Sequence, residues 1–224
     1  MLTSNLKLTM KNIFYKFSIL AIIAITLTSC DDTETEMVQF KSVVYKETFN
    51  PDLLDEDEYL NFNNWISFAE TGTVKWTEQD DDNNGYIQFT TYGSSTGDVT
   101  NIAWAITPSI NMDNSVNEVL TFKTAAEFVT DANNKLEVFI SNNFDGTNVL
   151  TATWLPITAN IASVATNLPS GSADGVLNIS SGLIDLSSYT GNIHIAFKAK
   201  GSSTNSNLDG SLRVDDIKIY DKTL

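Results

Sequence analysis

The chain has 224 residues, 42% of them hydrophobic, enough for one well-buried core and short for two. Its 28 Asp and Glu against 13 Lys and Arg give a formal net charge of −15, a field that repels nucleic acid and anionic membrane surfaces and excludes nucleic-acid binding. A single cysteine rules out an internal disulfide, so core packing or a bound metal must hold the fold.

Lys7, Lys11 and Lys16 precede an apolar stretch, FSILAIIAITLTS, from Phe17 to Ser29. A positive segment followed by an apolar run shorter than the ~20 residues of a spanning helix reads as a secretory signal. Leu27-Thr28-Ser29-Cys30 then matches the bacterial lipobox, with small side chains beside the cut and a thiol free to accept diacylglycerol. Residues 1–29 therefore read as a lipoprotein signal peptide, starting at Met1 or at Met10, and Cys30 as the lipidated first residue of the mature protein. Their removal takes away three lysines and no acid, moving the net charge from −15 to −18. Several acyl chains on one cysteine anchor stably, each buried methylene contributing ~0.8 kcal/mol. Residues 30–37, CDDTETEM, form an acidic tether, and 38–224 form the domain. In enteric bacteria an Asp after the cysteine retains a lipoprotein in the inner membrane. The cluster Asp31, Asp32, Glu34 and Glu36 instead resembles the surface-export signal of Bacteroidetes-like bacteria, which the Asn-, Thr- and Ser-rich composition favours.

The domain opens on a strand pattern, VVYKETF (43–49). DLLDEDEYL (52–60) reads as one helical turn in a connection; its carboxylates from Asp55 to Glu58 lack the rigid ~5 Å pairing that retaining glycosidases need. EQDDDNNGYIQF (78–89) admits two readings. Asp80, Asp82 and Asn84 occupy positions one, three and five of an EF-hand-like calcium loop with Gly85 at six, but Thr91 stands where the closing acid belongs. Flanking VKW and YIQF are strand-like, which makes the same stretch an Asn-Gly hairpin with solvated acids.

YIQFTTY (86–92) and NIAWAITP (101–108) follow as strands. Ile102, Trp104 and Ile106 share a face, expected to be the core face, and Pro108 stops the strand. After VLTFKTAAEF (119–128), KLEVFIS points Leu136, Val138 and Ile140 inward. GNIHIAFKAKG points Ile193, Ile195 and Phe197 inward and leaves His194, the sole histidine, on the other face. With one histidine and a lipidated cysteine, no Ser-His-Asp or Cys-His arrangement is present, and no phosphate-binding glycine motif stands at a strand-to-helix junction. Trp154 is expected to pack, whereas Trp65, Trp76, Tyr92 and Phe144 fall near strand ends or loops and are the candidate ligand-stacking rings.

In LRVDDIKIY (212–220), Leu212 and Val214 have one parity and Ile217 and Ile219 the other. A bulge at Asp215-Asp216 brings both pairs to the core, leaving two acids that are either solvated at a bend or balanced by a cation or donors. Short strands at this spacing, without βαβ alternation, predict an all-β sandwich or jelly roll.

The segments ETF (47–49), NNW ending at Trp65, AWAITPSINM (103–112), LTFKTA (120–125), KLEVFISNNFDG (135–146), ATW (152–154), IDLSSYTGNIHIAFK (184–198) and VDDIKIY (214–220) occur in an order that resembles the cleaved-adhesin or choice-of-anchor J domains of Bacteroidetes surface proteins. The resemblance implies a jelly-roll β-sandwich like those of MAM and carbohydrate-binding modules. It also implies a structural calcium ion between the first and last strands, with Glu47, Asp215 and Asp216 as ligands and Asp131 as a further carboxylate. Asn142-Asn143 stand where relatives often carry Thr-Asp, which removes a carboxylate there. The expected function is a non-catalytic lipoprotein of the bacterial outer membrane, exposed at the cell surface and binding a glycan or surface protein. The alternative is an accessory subunit of an outer-membrane assembly, and a glycan-active hydrolase comes third.

Overall fold

The computed structural model describes residues 42–49, 58–81, 84–173 and 175–222. The expected signal peptide, Cys30, the acidic tether, Asp82 and most of the 52–60 connection lie outside the described residues. Strands β1 (Val43–Glu47), β2 (Ile66–Thr71), β3 (Thr77–Asp81) and β4 (Asn84–Phe89) precede β5 (Asn101–Ile106) and β6 (Ile110–Asn111). β7 (Glu118–Glu127) and β8 (Lys135–Ser141) are followed by three two-residue strands, β9 (Leu155–Pro156), β10 (Ile179–Ser180) and β11 (Ile184–Asp185). The long strands β12 (Asn192–Gly201) and β13 (Ser211–Asp221) complete the set. Helical structure among the described residues amounts to two 3-10 turns, Phe62–Asn64 and Val164–Thr166.

These strands form an all-β sandwich of two antiparallel sheets. One has seven strands in the order β10-β7-β13-β4-β3, with β1 also on β13 and β11 also on β7. The other has six, in the order β2-β5-β12-β8-β9, with β6 on β12. The alternation in β8 and β12 decides which face turns inward. Leu136, Val138, Ile140, Ile193, Ile195 and Phe197 all enter the core between the sheets, each such burial contributing ~1.5–3 kcal/mol.

In β5 the expected face is reversed. Ala103 and Ala105 face the intersheet core, where the wide rings of Trp65, Trp76 and Phe197 fill the volume that alanine leaves. Trp104 and Ile106 point to the outer side of the six-stranded sheet and join Phe144, Val149 and Ala196 in a second, smaller core. The 142–154 loop covers this cluster. Its turn is fixed by Asp145, whose carboxylate accepts from the backbone N–H of Thr147 and Asn148 at 2.8 Å each, and Trp154 Nε1 donates to the Val149 carbonyl at 2.9 Å. Trp104 Nε1 donates to Glu70 Oε2 at 2.7 Å, and Lys198 reaches the same oxygen at 2.8 Å while lying 4.6 Å from the Trp104 ring centroid.

The bulge in β13 stands where the parity switch requires it. Leu212, Val214, Ile217 and Ile219 are all fully buried, the ladder to β7 shifts register between Asp215 and Lys218, and Asp216 adopts φ 54°. β7 accompanies the whole of β13 on one side. On the other side Leu212–Val214 pair with β4, and Ile217–Tyr220 pair with β1, so the bulge marks the seam between two short strands.

Candidate functional site

The outer face of the seven-stranded sheet carries a groove of ≈ 820 Å³, floored by β3, β4 and β13 and walled by the end of β7 and the 202–210 loop. Its floor follows from register. Arg213 sits directly across from Gln88 on β4 and diagonal to Glu127 on β7, whose cross-strand partner is Ser211. The Arg213 guanidinium forms a buried ion pair with Glu127 through Nη2, donates from Nε to Gln88 Oε1 at 3.2 Å, and lies 5.4 Å from the Tyr86 ring centroid. Ser211 Oγ donates to the same Gln88 oxygen at 2.6 Å. Arg213 and Glu127 are both buried, so each charge is compensated by the other in a site where an unpaired one would be costly.

The walls are pinned by threonines and by one glycine. Thr90 Oγ1 donates to the Asp209 carbonyl at 2.9 Å and Thr130 Oγ1 to that of Asn207 at 3.3 Å, tying the 202–210 loop to both sides of the groove. A Cβ at Gly210 would come within 2.8 Å of the Phe128 carbonyl, so only glycine lets the two backbones approach this closely. Two aromatic rings that line the groove are exposed: Tyr92 at 80% and Phe128 at 58%. Phe128 continues the inward parity of Leu120, Phe122 and Ala126 but has φ 57°, and this left-handed residue at the end of β7 turns the ring outward. Strand alternation gave no sign of that.

Of the expected ligand-stacking rings, Tyr92 lines the groove and the other three do not. Trp65 and Trp76 are buried in the intersheet core, Trp76 Nε1 donating to the Ala103 carbonyl at 3.2 Å, and Phe144 is sealed beneath its own loop against His194. Large rings beside short strands contribute more by filling core volume than by facing water. His194 Nδ1 bonds the Thr107 carbonyl at 2.8 Å.

The calcium ligands expected by resemblance do not assemble. Glu47 Oε1 accepts from the backbone N–H of Thr48 and Phe49, each at 3.0 Å, closing the end of β1. The two oxygens of Asp216 are held by Lys123 at 2.7 Å and Lys218 at 3.1 Å, so ammonium groups stand where a cation would be needed. Burial works to raise the Asp216 pKa, but these lysines outweigh it and hold the carboxyl below its ordinary range. Asp215 is buried, one carboxylate oxygen accepts no hydrogen bond, and burial, with help from the Asp216 charge, pushes its pKa up to about 7. The EF-hand-like alternative gives way to a hairpin: Asp81 pairs with Asn84 and Asp80 with Gly85, placing Asp80 and Asn84 on opposite faces of a two-stranded ribbon. Asn84-Gly85 is thus inside β4 rather than at the turn. Asn84 Nδ2 donates to the Gly175 carbonyl at 3.1 Å. Among the described residues, no three acidic, His or Cys side chains converge as a metal site, and Asp131 caps the N–H of Asn133 at 2.8 Å instead.

Comparison with solved structures finds a cleaved adhesin domain of Lys-gingipain from Porphyromonas gingivalis at 18% identity, covering 80% of this chain and 98% of that one with a TM-score of 0.47. A second cleaved adhesin domain of the same protein matches at 14% identity over 78% and 96% of the two chains, with a TM-score of 0.46. The xylan-binding domain of a Paenibacillus barcinonensis protein matches at 10% identity over 81% and 96%, with a TM-score of 0.38. No curated protein matches the chain in sequence. A family model described as a domain of unknown function, DUF5017, matches residues 109–223, more than half of the chain and the whole run from β6 through β13, and the chain belongs to that family.

Proposed function

We propose that this protein is a non-catalytic binding module that holds a glycan chain in the groove of the seven-stranded sheet, displayed outside the cell on a lipid carried by Cys30. The observation that carries the reading is the pairing of two bare rings, Tyr92 and Phe128, with a floor of hydrogen-bonding side chains in one groove. Sugars offer an apolar C–H face for stacking and hydroxyls for polar contacts, and such a groove meets both requirements. Titration of the full chain with soluble polysaccharides tests it: wild type binds, and Tyr92→Ala with Phe128→Ala weakens binding by at least tenfold. Equal binding by the double variant sinks the groove assignment. Cys30→Ala should release the protein from membranes, and unchanged membrane retention would remove the lipid anchor from the reading.

A protein partner is the second reading, and one observation favours it. Leu150, 63% exposed, follows the buried Val149 in the 142–154 loop that covers the opposite outer face. A blank response to every polysaccharide, with capture of a surface protein that Leu150→Asp abolishes, would shift the function to that face.

A further inference from the structure

Resting on the glycan reading of the groove, the geometry of its floor narrows the ligand. Gln88 Oε1 receives two donors, Ser211 Oγ at 2.6 Å and Arg213 Nε at 3.2 Å. Arginine has no acceptor, so the Gln88 atom facing it must be the carbonyl oxygen, and flipping the carboxamide would set N–H against N–H. Arg213 is itself immobilised by Glu127 and by the Tyr86 ring. The Gln88 –NH₂ group therefore has one orientation, directed away from Arg213 and Ser211, in a residue that lines the groove. A donor held in place before the ligand arrives loses little freedom on binding, which favours affinity and selectivity together.

The field around that donor is negative. Among the described residues, Asp80, Glu127 and Asp209 line the groove against one cation, Arg213, and the whole chain carries −15. Polysaccharides bearing carboxylate or sulfate groups meet like charge in a concave site, whereas neutral ones bring hydroxyl donors to the acids and ring or hydroxyl oxygens to the amide. We propose that Gln88 sets the specificity of this groove, presenting a fixed amide donor to a neutral, hydroxyl-rich polysaccharide.

The test is isothermal titration of the full chain with arabinoxylan, galactomannan and mixed-linkage β-glucan as neutral probes, and polygalacturonate and heparin as acidic ones. Wild type should bind at least one neutral probe and prefer it to both acidic ones. Gln88→Glu keeps an oxygen for Arg213 and Ser211 but exchanges the donor for a charged acceptor. It should lose at least about tenfold in affinity, the equivalent of ~1.4 kcal/mol, with no fall in its thermal midpoint. Gln88→Met, which removes the donor without adding charge, should lose affinity in the same direction and guards against a folding defect in the first variant. Undiminished neutral binding by either folded variant overturns the role of Gln88. Preference of wild type for polygalacturonate or heparin overturns the neutral class while leaving the glycan reading intact. Binding to none of the five overturns both.

Discussion

On the outer face of the six-stranded sheet, Trp104, Ile106 and Ala196 are sealed under the 142–154 loop; on the outer face of the seven-stranded sheet, Arg213, Gln88 and Ser211 floor an open groove. Both faces place large side chains on the positions of a strand that point away from the sandwich core. What differs is the cover. The 142–154 loop closes on itself through Asp145, Asn143 and Trp154 and brings Phe144 and Val149 down as a lid. The 202–210 loop is tied along the side of the other sheet by Thr90, Thr91 and Thr130, and so it forms a wall instead of a roof. An outward-pointing position thus becomes core or site according to a loop remote from it in sequence.

Four substitutions sharpen this contrast. Trp104→Ala should behave as a core truncation despite its outer-face position and cost about 3–5 kcal/mol in denaturant unfolding. A loss under about 1 kcal/mol would mean that the lid does not seal. Arg213→Met leaves Glu127 buried without its partner and should cost about 3 kcal/mol, most of it regained when Glu127→Leu is added. If the double variant is as unstable as the single one, the floor is held by something other than that ion pair.

The third is Asp215→Asn, at the seam below the groove. The folded-state pKa of Asp215 is raised from 3.8 to about 7, so the folded chain binds this proton more tightly than the unfolded one. Its contribution to stability is fully present below pH 3.8 and is lost as pH rises through about 7. Asparagine at this position should therefore add roughly 2 kcal/mol at pH 8 and nothing near pH 4, read as the difference between wild-type and variant unfolding curves. An equal effect at both pH values would refute a buried, proton-binding carboxyl. The smallest effect belongs to Phe128→Gly. Removing a bulky residue from φ 57° should stabilise by about 0.5–1 kcal/mol while depriving the groove of a ring. Destabilisation would show that the ring packs rather than waits.

Much of the sandwich is legible in the chain. Strict alternation in 135–141 and 193–197 identifies the inward faces, and the parity switch between Val214 and Ile217 forces the bulge that Asp216 provides. The same rule misleads at 101–106, because alternation separates two faces without saying which is covered by the opposing sheet and which by a loop. Ala103 and Ala105 look like surface beside Ile and Trp, yet their small size is what admits the large rings opposite. The site is less legible. Tyr92 stands out as an aromatic in a loop, but Phe128 depends on one backbone angle, which residue type does not reveal. Arg213 carried a usable signal: it is the only arginine in the sequence and lies between two core residues in an apolar strand, a place where a lone permanent charge needs a partner. The lysines that hold Asp216, one of the expected calcium ligands, were not legible. Lys123 and Lys218 come from two strands and meet at Asp216 only once the register is known.

The division of one side of β13 between β4 and β1 has a mechanical corollary. Among the described residues, β1 has no backbone ladder except that to β13, with four registered pairs between Val43 and Glu47. Tension applied to the chain ahead of Val43 enters the sandwich through that ladder and is delivered to the strand that holds Arg213, on the far side of the bulge. A ligand pulling on the groove and a tether pulling on β1 would load a single strand from its two halves, with the Asp215-Asp216 kink between them as the point of yield.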